Sequence, residues 1–226
     1  MVCLSVVASN LSAQTNGRSS ELLPFAQAAA KAGTEYHGDG LSMTATPYGV
    51  RLRCIFQRLE GRVTPEGLAL VSTVESRDSK PFRVVAHAVG RSGSVSALPP
   101  RGDVAVAHEL ARCRRGSLTE EYSVSVEGVR QDFVVAQRPD GEGALRVELQ
   151  VTGARTEALA YGARLVLAGS GRRIAYHRLR VADAKGAELA ARLEVATERR
   201  VTVVVEDESA VYPVRIDPTF SDWKGA

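Results

Sequence analysis

The chain has 226 residues, 44% of them hydrophobic, which is enough for one large or two small buried cores and excludes a disordered chain. Its 29 cationic and 26 acidic side chains leave a formal charge of only +3, too mixed to give the single-sign field of a nucleic-acid binder. No stretch approaches the roughly 18 consecutive apolar residues needed to span a bilayer, so no transmembrane segment is expected.

The amino terminus bears on location. Residues 2–8 form a short apolar run that passes through Asn10, Leu11, Ser12 and Ala13 into the polar Gln14, Thr15, Asn16 and Gly17. This is how the apolar region and cleavage site of a secretory signal end, although the charged start of such a signal is missing. Residues 1–13 are read as a shortened signal peptide rather than simply an apolar terminus, which places the protein outside the cytoplasm, secreted or at the cell surface. Residues 14–35 form a linker carrying one short helix over 21–32. Ser19 and Ser20 precede it as caps, Pro24 sits in its first turn and Gly33 stops it, while Leu22, Leu23, Phe25, Ala26 and Ala29 give it one apolar side.

From Tyr36 the apolar period becomes two. Leu41, Met43 and Ala45, then Val50, Leu52, Cys54 and Phe56, then Leu68, Leu70 and Val71, and then Phe82, Val84 and Val85 are strand cores. The clusters 46–49, 64–67 and 76–79 supply the turns between them. Residues 90–102, with Ser92, Gly93, Ser94, Pro99 and Pro100, read as a long loop, and 104–112 as one or two short strands. These elements make up a first β domain over 36–116.

The second domain, 117–218, has the stronger pattern. Tyr122, Val124 and Val126 alternate into Glu127 and Gly128 and out through Val129, Gln131, Phe133 and Val135, the spacing of a two-residue hairpin. A turn over 139–143 leads into Leu145, Val147, Leu149 and Val151, and further strands are expected at 164–168, 173–181, 193–196, 201–206 and 211–216. So many short strands without alternating helices predict an all-β chain of two antiparallel β-sandwich-like parts plus the short amino-terminal helix, with 219–226 as a tail.

The sequence offers little catalytic chemistry. Cys3, Cys54 and Cys113 have no metal-ligand spacing. A Cys54–Cys113 bridge is the one that can be drawn within the β region, but Cys54 sits in an apolar alternation, where a free thiol behaves as a small hydrophobe. His37, His87, His108 and His177 are scattered, without the spacing of a local metal site. There is no nucleophile elbow, and Gly169, Ser170 and Gly171 read as a turn. Asp183, Asp207, Asp217 and Asp222 lack the order of a calcium loop. Turn capping accounts for the first two, and Asp217 before Pro218 ends a strand. Arg101, Gly102 and Asp103 match an adhesion tripeptide, but turn chemistry explains them equally well. Neither catalytic residues nor cofactor or metal ligands are nominated, and the chain reads as a non-enzyme.

Arginine supplies 25 of the 29 cations. Arg172, Arg173, Arg178, Arg180, Arg199 and Arg200 form a basic stripe if their strands are neighbours, and arginine suits carboxylate or phosphate. They are the candidate anion-binding residues. A solvated outer sheet face is the plainer account of them.

Residues 118–135, followed by Arg164, Leu165, Val166 and Leu167, by Ile174, Ala175 and Tyr176, by the turn 183–186 and by Val211-Tyr212-Pro213-Val214-Arg215-Ile216-Asp217-Pro218, carry a resemblance. This pattern resembles the amino-terminal β-rich region of large secreted bacterial repeat proteins, in which it precedes β-propeller or related repeats. The likeness covers most of the chain from about Glu21 and is sharpest after Leu118; the chain departs from it by stopping at Ala226, where repeats would begin. The resemblance implies export and a non-catalytic role beside a repeat array. The leading expectation is therefore a structural or binding module outside the cytoplasm, with a protein or glycan at the cell surface as its partner. A carbohydrate- or polyanion-binding domain and a hydrolase with a site assembled from distant residues are the alternatives.

Overall fold

The computed structural model describes residues 40–74, 80–107 and 109–225. The signal-like segment 1–13, the helix over 21–32, His37, the turn 76–79 and His108 lie outside the described residues. Within them the chain is all-β, as expected, with strands paired antiparallel in three sheets.

A meander of β1 (Leu41–Thr46), β2 (Gly49–Cys54), β3 (Leu59–Thr64) and β4 (Gly67–Ser72) makes the first, four-stranded sheet. Next come β5 (Arg83–Arg91), β6 (Ser94–Ala97), β7 (Asp103–Ala107), β8 (Leu110–Arg115), β9 (Leu118–Ser125), β10 (Gly128–Val135) and β11 (Leu145–Thr152). The chain then forms β12 (Ala154–Leu159), β13 (Gly162–Leu167), β14 (Arg173–Ala182), β15 (Ala191–Thr197), β16 (Arg200–Val205) and β17 (Val214–Asp222). The eight-stranded sheet runs β12-β13-β14-β17-β10-β9-β8-β7, and the five-stranded sheet runs β15-β16-β11-β5-β6.

The expected division at 116/117 does not separate the sheets. β8 pairs with β9 in the eight-stranded sheet and β5 pairs with β11 in the five-stranded one, so strands from both sides of that line share both sheets. The four- and five-stranded sheets meet at a bridge between Leu70 and Phe82. Both pack on one face of the eight-stranded sheet, with Phe82 edge-on to Phe220 and the Cys54 thiol donating to the Ser125 carbonyl. One buried cluster runs from Val50 to Phe220 through all three sheets. Each fully buried Leu, Val or Phe in it contributes about 1.5–3 kcal/mol.

Local sequence explains the pairing. β9 and β10 turn over Val126 and Glu127, and position 128 requires glycine: its φ is +151°, and a Cβ there would lie 2.0 Å from the Phe220 carbonyl oxygen of β17. Leu118, Tyr122, Val129 and Phe133 point inward and are buried. Cys54 and Cys113 are free and buried, and burial pushes the Cys54 thiol up to about 11.

Several expectations are corrected. Phe56 does not continue β2: residues Ile55–Gln57 form a 3-10 turn ended by Arg58 in the left-handed region, and Phe56 is exposed. The stretch read as a loop over 90–102 contains the end of β5, where Arg91 enters a buried ion pair, and all of β6, which folds back on β5 as a hairpin. The closing strand begins at Val214 and runs through Pro218 to Asp222, whereas Tyr212 and Pro213, joined by a cis peptide, precede it. Pro218 has no N–H to give its neighbour. Opposite it, β14 bulges: pairing jumps from His177–Thr219 to Arg180–Asp217, with Arg178 at φ +57°.

Candidate functional site

Alternation sends the odd-numbered residues of β9 and the even-numbered residues of β10 to the outer face of the eight-stranded sheet. Strand register then lines up Arg112 of β8, Glu121 of β9 and Asp132 of β10, and Arg180 of β14 opposite Asp217 of β17. The side chains join these positions into a ladder. Arg112 donates to Glu121 at 2.6 Å, and Arg215 donates to both Glu121 (2.8 Å) and Asp132 (2.5 Å). Arg130 reaches Asp132 and Asp217, the latter at 2.6 Å. Glu121 and Asp132 are buried under these guanidinium groups.

Electrostatics divide the carboxylates. Burial pushes Glu121 up, but its hydrogen bonds from Arg112 and Arg215 hold it below the ordinary range. Asp217 goes the other way: burial, together with the neighbouring Asp132 charge, raises it to about 6 against the pull of Arg130. This row therefore holds a proton near Asp217 under mildly acidic conditions.

Beside the ladder, His177 Nε2 lies 2.7 Å from Ser221 Oγ. Burial, then the Arg178 charge, lowers the histidine, favouring the neutral ring that could accept a proton from serine. No sequence pattern marks this pair, since 44 residues separate its members and the β14–β17 pairing joins them.

The six candidate arginines do not come together as one stripe. Arg172 is nearly buried and braces the 3-10 turn: it donates to the carbonyls of Arg58 and Gln57, to Ser72 Oγ and to Asp222. Arg178, on the bulge, pairs with Glu127 at 2.8 Å. Arg173 and Arg180 are exposed on β14 and make no ion pair among the described residues. Arg199 and Arg200 lie at the β15–β16 turn, in the other large sheet.

The remaining candidates have structural surroundings. The side chain of Asp183 accepts from the backbone N–H groups of Lys185, Ala187 and Val211, a turn cap as read. Asp207 is more than a cap: it is buried in a two-pronged pair with Arg91 (2.6 and 2.7 Å) and accepts from the Tyr212 hydroxyl and the Leu145 N–H. Burial pushes its carboxyl up, and Arg91 and Tyr212 hold it below the usual range. Asp217 does not end a strand. Asp222 pairs with Arg58 and Arg172. Arg101 pairs with Glu66 and Gly102 donates to the Pro65 carbonyl, so the tripeptide enters β7 rather than tipping a free loop. Trp223 lies under the Arg164 guanidinium at 5.4 Å.

Inside the sandwich, sequence reading missed a second polar chain. Arg115 pairs with Glu120, whose other oxygen accepts from the Tyr122 hydroxyl (2.5 Å) and Gln131 Nε2 (2.9 Å). Gln131 also donates to the Val84 carbonyl of the five-stranded sheet and accepts from the Tyr176 hydroxyl.

A cavity of about 730 Å³ forms a groove between the β1–β2 turn, the β3–β4 turn and the edge strand β7. Tyr48, 84% exposed, and Val106 lie along it. Comparison with protein-family models, with curated proteins and with solved structures finds no match to this chain.

Proposed function

We propose that this chain is a non-catalytic structural or binding module of a secreted bacterial protein, working outside the cytoplasm. The observation that supports this best is the end of the eight-stranded sheet: among the described residues β7 has a partner on one side only, and the groove beside it exposes Tyr48 and Val106. An unpaired strand edge offers N–H and C=O groups to an extended segment of a partner, with the groove receiving alternate side chains. The tied-down ladder on the outer face and the filled interior supply the rigid support that such a surface needs.

Two measurements test the reading. The full chain fused ahead of alkaline phosphatase, which matures only in an oxidising compartment, should yield exported active phosphatase; retention in the cytoplasm overturns the location. Chromogenic esters and glycosides should show no turnover that Ser221→Ala or Asp217→Asn removes. Turnover lost in either variant would make the chain a hydrolase built on the outer face.

A further inference from the structure

A smaller cavity of about 270 Å³ opens on the five-stranded sheet where the chain crosses from β6 to β7. A register slip lies in its wall. Glu148 of β11 pairs with Ala88 and Leu149 with Ala86, so His87 is an extra residue of β5 with no partner opposite it. Such bulges re-aim a side chain. The His87 carbonyl accepts from Leu98 N–H at 2.8 Å, fixing Leu98 and the nearby Pro100 as an apolar wall, with Val85 on the same side. Arg83 and Arg115 complete the lining with two guanidinium groups.

Two nitrogens at this cavity are unusual. His87 Nε2 and Arg115 Nε are buried and have no hydrogen-bond partner among the described residues. Glu148 is the nearest carboxylate to the histidine, at 3.7 Å, too far for a hydrogen bond. Arg115, only 2% exposed, spends one end of its guanidinium on Glu120. Arg83 gives one long bond of 3.3 Å to the Glu66 carbonyl and no other among the described residues. Buried donors are almost always satisfied, so donors left open around one cavity point to an acceptor that belongs there. Arg83 and Arg115 place two guanidinium groups in the lining, to which the described residues contribute no carboxylate, and charge-assisted hydrogen bonds favour a negative acceptor there.

We infer that this cavity binds a small aliphatic carboxylate. Its oxygens accept from Arg83, Arg115 Nε and His87, and its hydrocarbon part packs on Val85, Leu98 and Pro100. The volume suits a molecule of this size, lying just below the usual range of ligand sites, about 300–1,000 Å³.

The test is an NMR titration of the full chain with sodium isovalerate and, separately, with neutral isovaleramide at matched ionic strength. The His87 ring and Arg115 Nε–H signals should move saturably with the carboxylate and respond at least about tenfold more weakly to the amide. Arg83→Met and, independently, His87→Gln, both on the rim, should each weaken isovalerate binding by about tenfold while leaving the remaining backbone spectrum in place. Equal response to acid and amide, no saturable movement of these two signals, or undiminished affinity in both variants would overturn the site.

Discussion

Glu120 and Glu121 are chain neighbours on opposite faces of one sheet, each held by arginine, but the two faces accommodate a buried carboxylate differently. On the inner face Glu120 has one cation, Arg115, and two neutral donors, Tyr122 and Gln131, and is sealed by the five-stranded sheet. On the outer face Glu121 has two cations, and the ladder beyond it alternates sign through Asp132, Arg130 and Asp217. The inner arrangement is specific and has no spare partner. The outer one is partly redundant: Glu121 and Asp132 each have two cations, whereas among the described residues Asp217 has Arg130 alone.

The largest effect should come from breaking the inner pair. Arg115→Met leaves Glu120 charged, dry and without its cation, and is expected to lower stability by about 3–5 kcal/mol. Adding Glu120→Gln should recover at least half of that loss, because the uncompensated charge is then gone. Urea midpoints of the two variants decide it: a double variant no better than the single would mean that packing, not charge, sets the cost.

On the outer face the sharpest probe is pH. Asp217 holds its proton up to about pH 6 in the folded chain, above its ordinary 3.8. Between these values the folded state binds the proton and the unfolded state does not, so this group's contribution to stability falls as pH rises through that window. The loss amounts to about 2 kcal/mol after allowance for partial exposure. Asp217→Asn should therefore gain about that much at neutral pH relative to wild type and nothing at about pH 4. A constant difference across pH would show that the ladder does not share a proton. Smaller still, Arg215→Ala should cost about 1 kcal/mol, since Arg112 stays on Glu121 and Arg130 on Asp132.

Sequence pattern made the hairpins visible wherever alternation was unbroken, as in β9, β10 and β11. β3 was hidden by Gly61 and Arg62 in its middle; the glycine is required because a Cβ would lie 2.8 Å from the Ala69 carbonyl oxygen. β12 was hidden because its inward Thr156 is polar, and its hydroxyl is satisfied by the Thr197 carbonyl of the facing sheet. The inner network was half legible: alternation from Leu118 through Tyr122 already puts Glu120 inside, but a charge at an inward position has no signature until its partner is known. Arg91 and Asp207 lie 116 residues apart, and only sheet order brings them together. The arginine stripe failed for the same reason, because β14 and the β15–β16 turn belong to different sheets.

The smallest expected effect separates the two faces most directly. Arg112 is half exposed and shares Glu121 with Arg215, so Arg112→Gln should cost less than about 1 kcal/mol at low salt. Mobile ions reach this face, and at about 1 M salt the screening length falls to roughly 3 Å, comparable with the ion-pair distance itself. The Arg112→Gln penalty should then vanish. Glu120 is fully buried between the sheets, where added salt screens little, so the Arg115→Met penalty should persist in the same buffer. Equal salt sensitivity in both variants would mean that water and ions reach Glu120, and that the two faces of the sheet do not differ in the way their geometry implies.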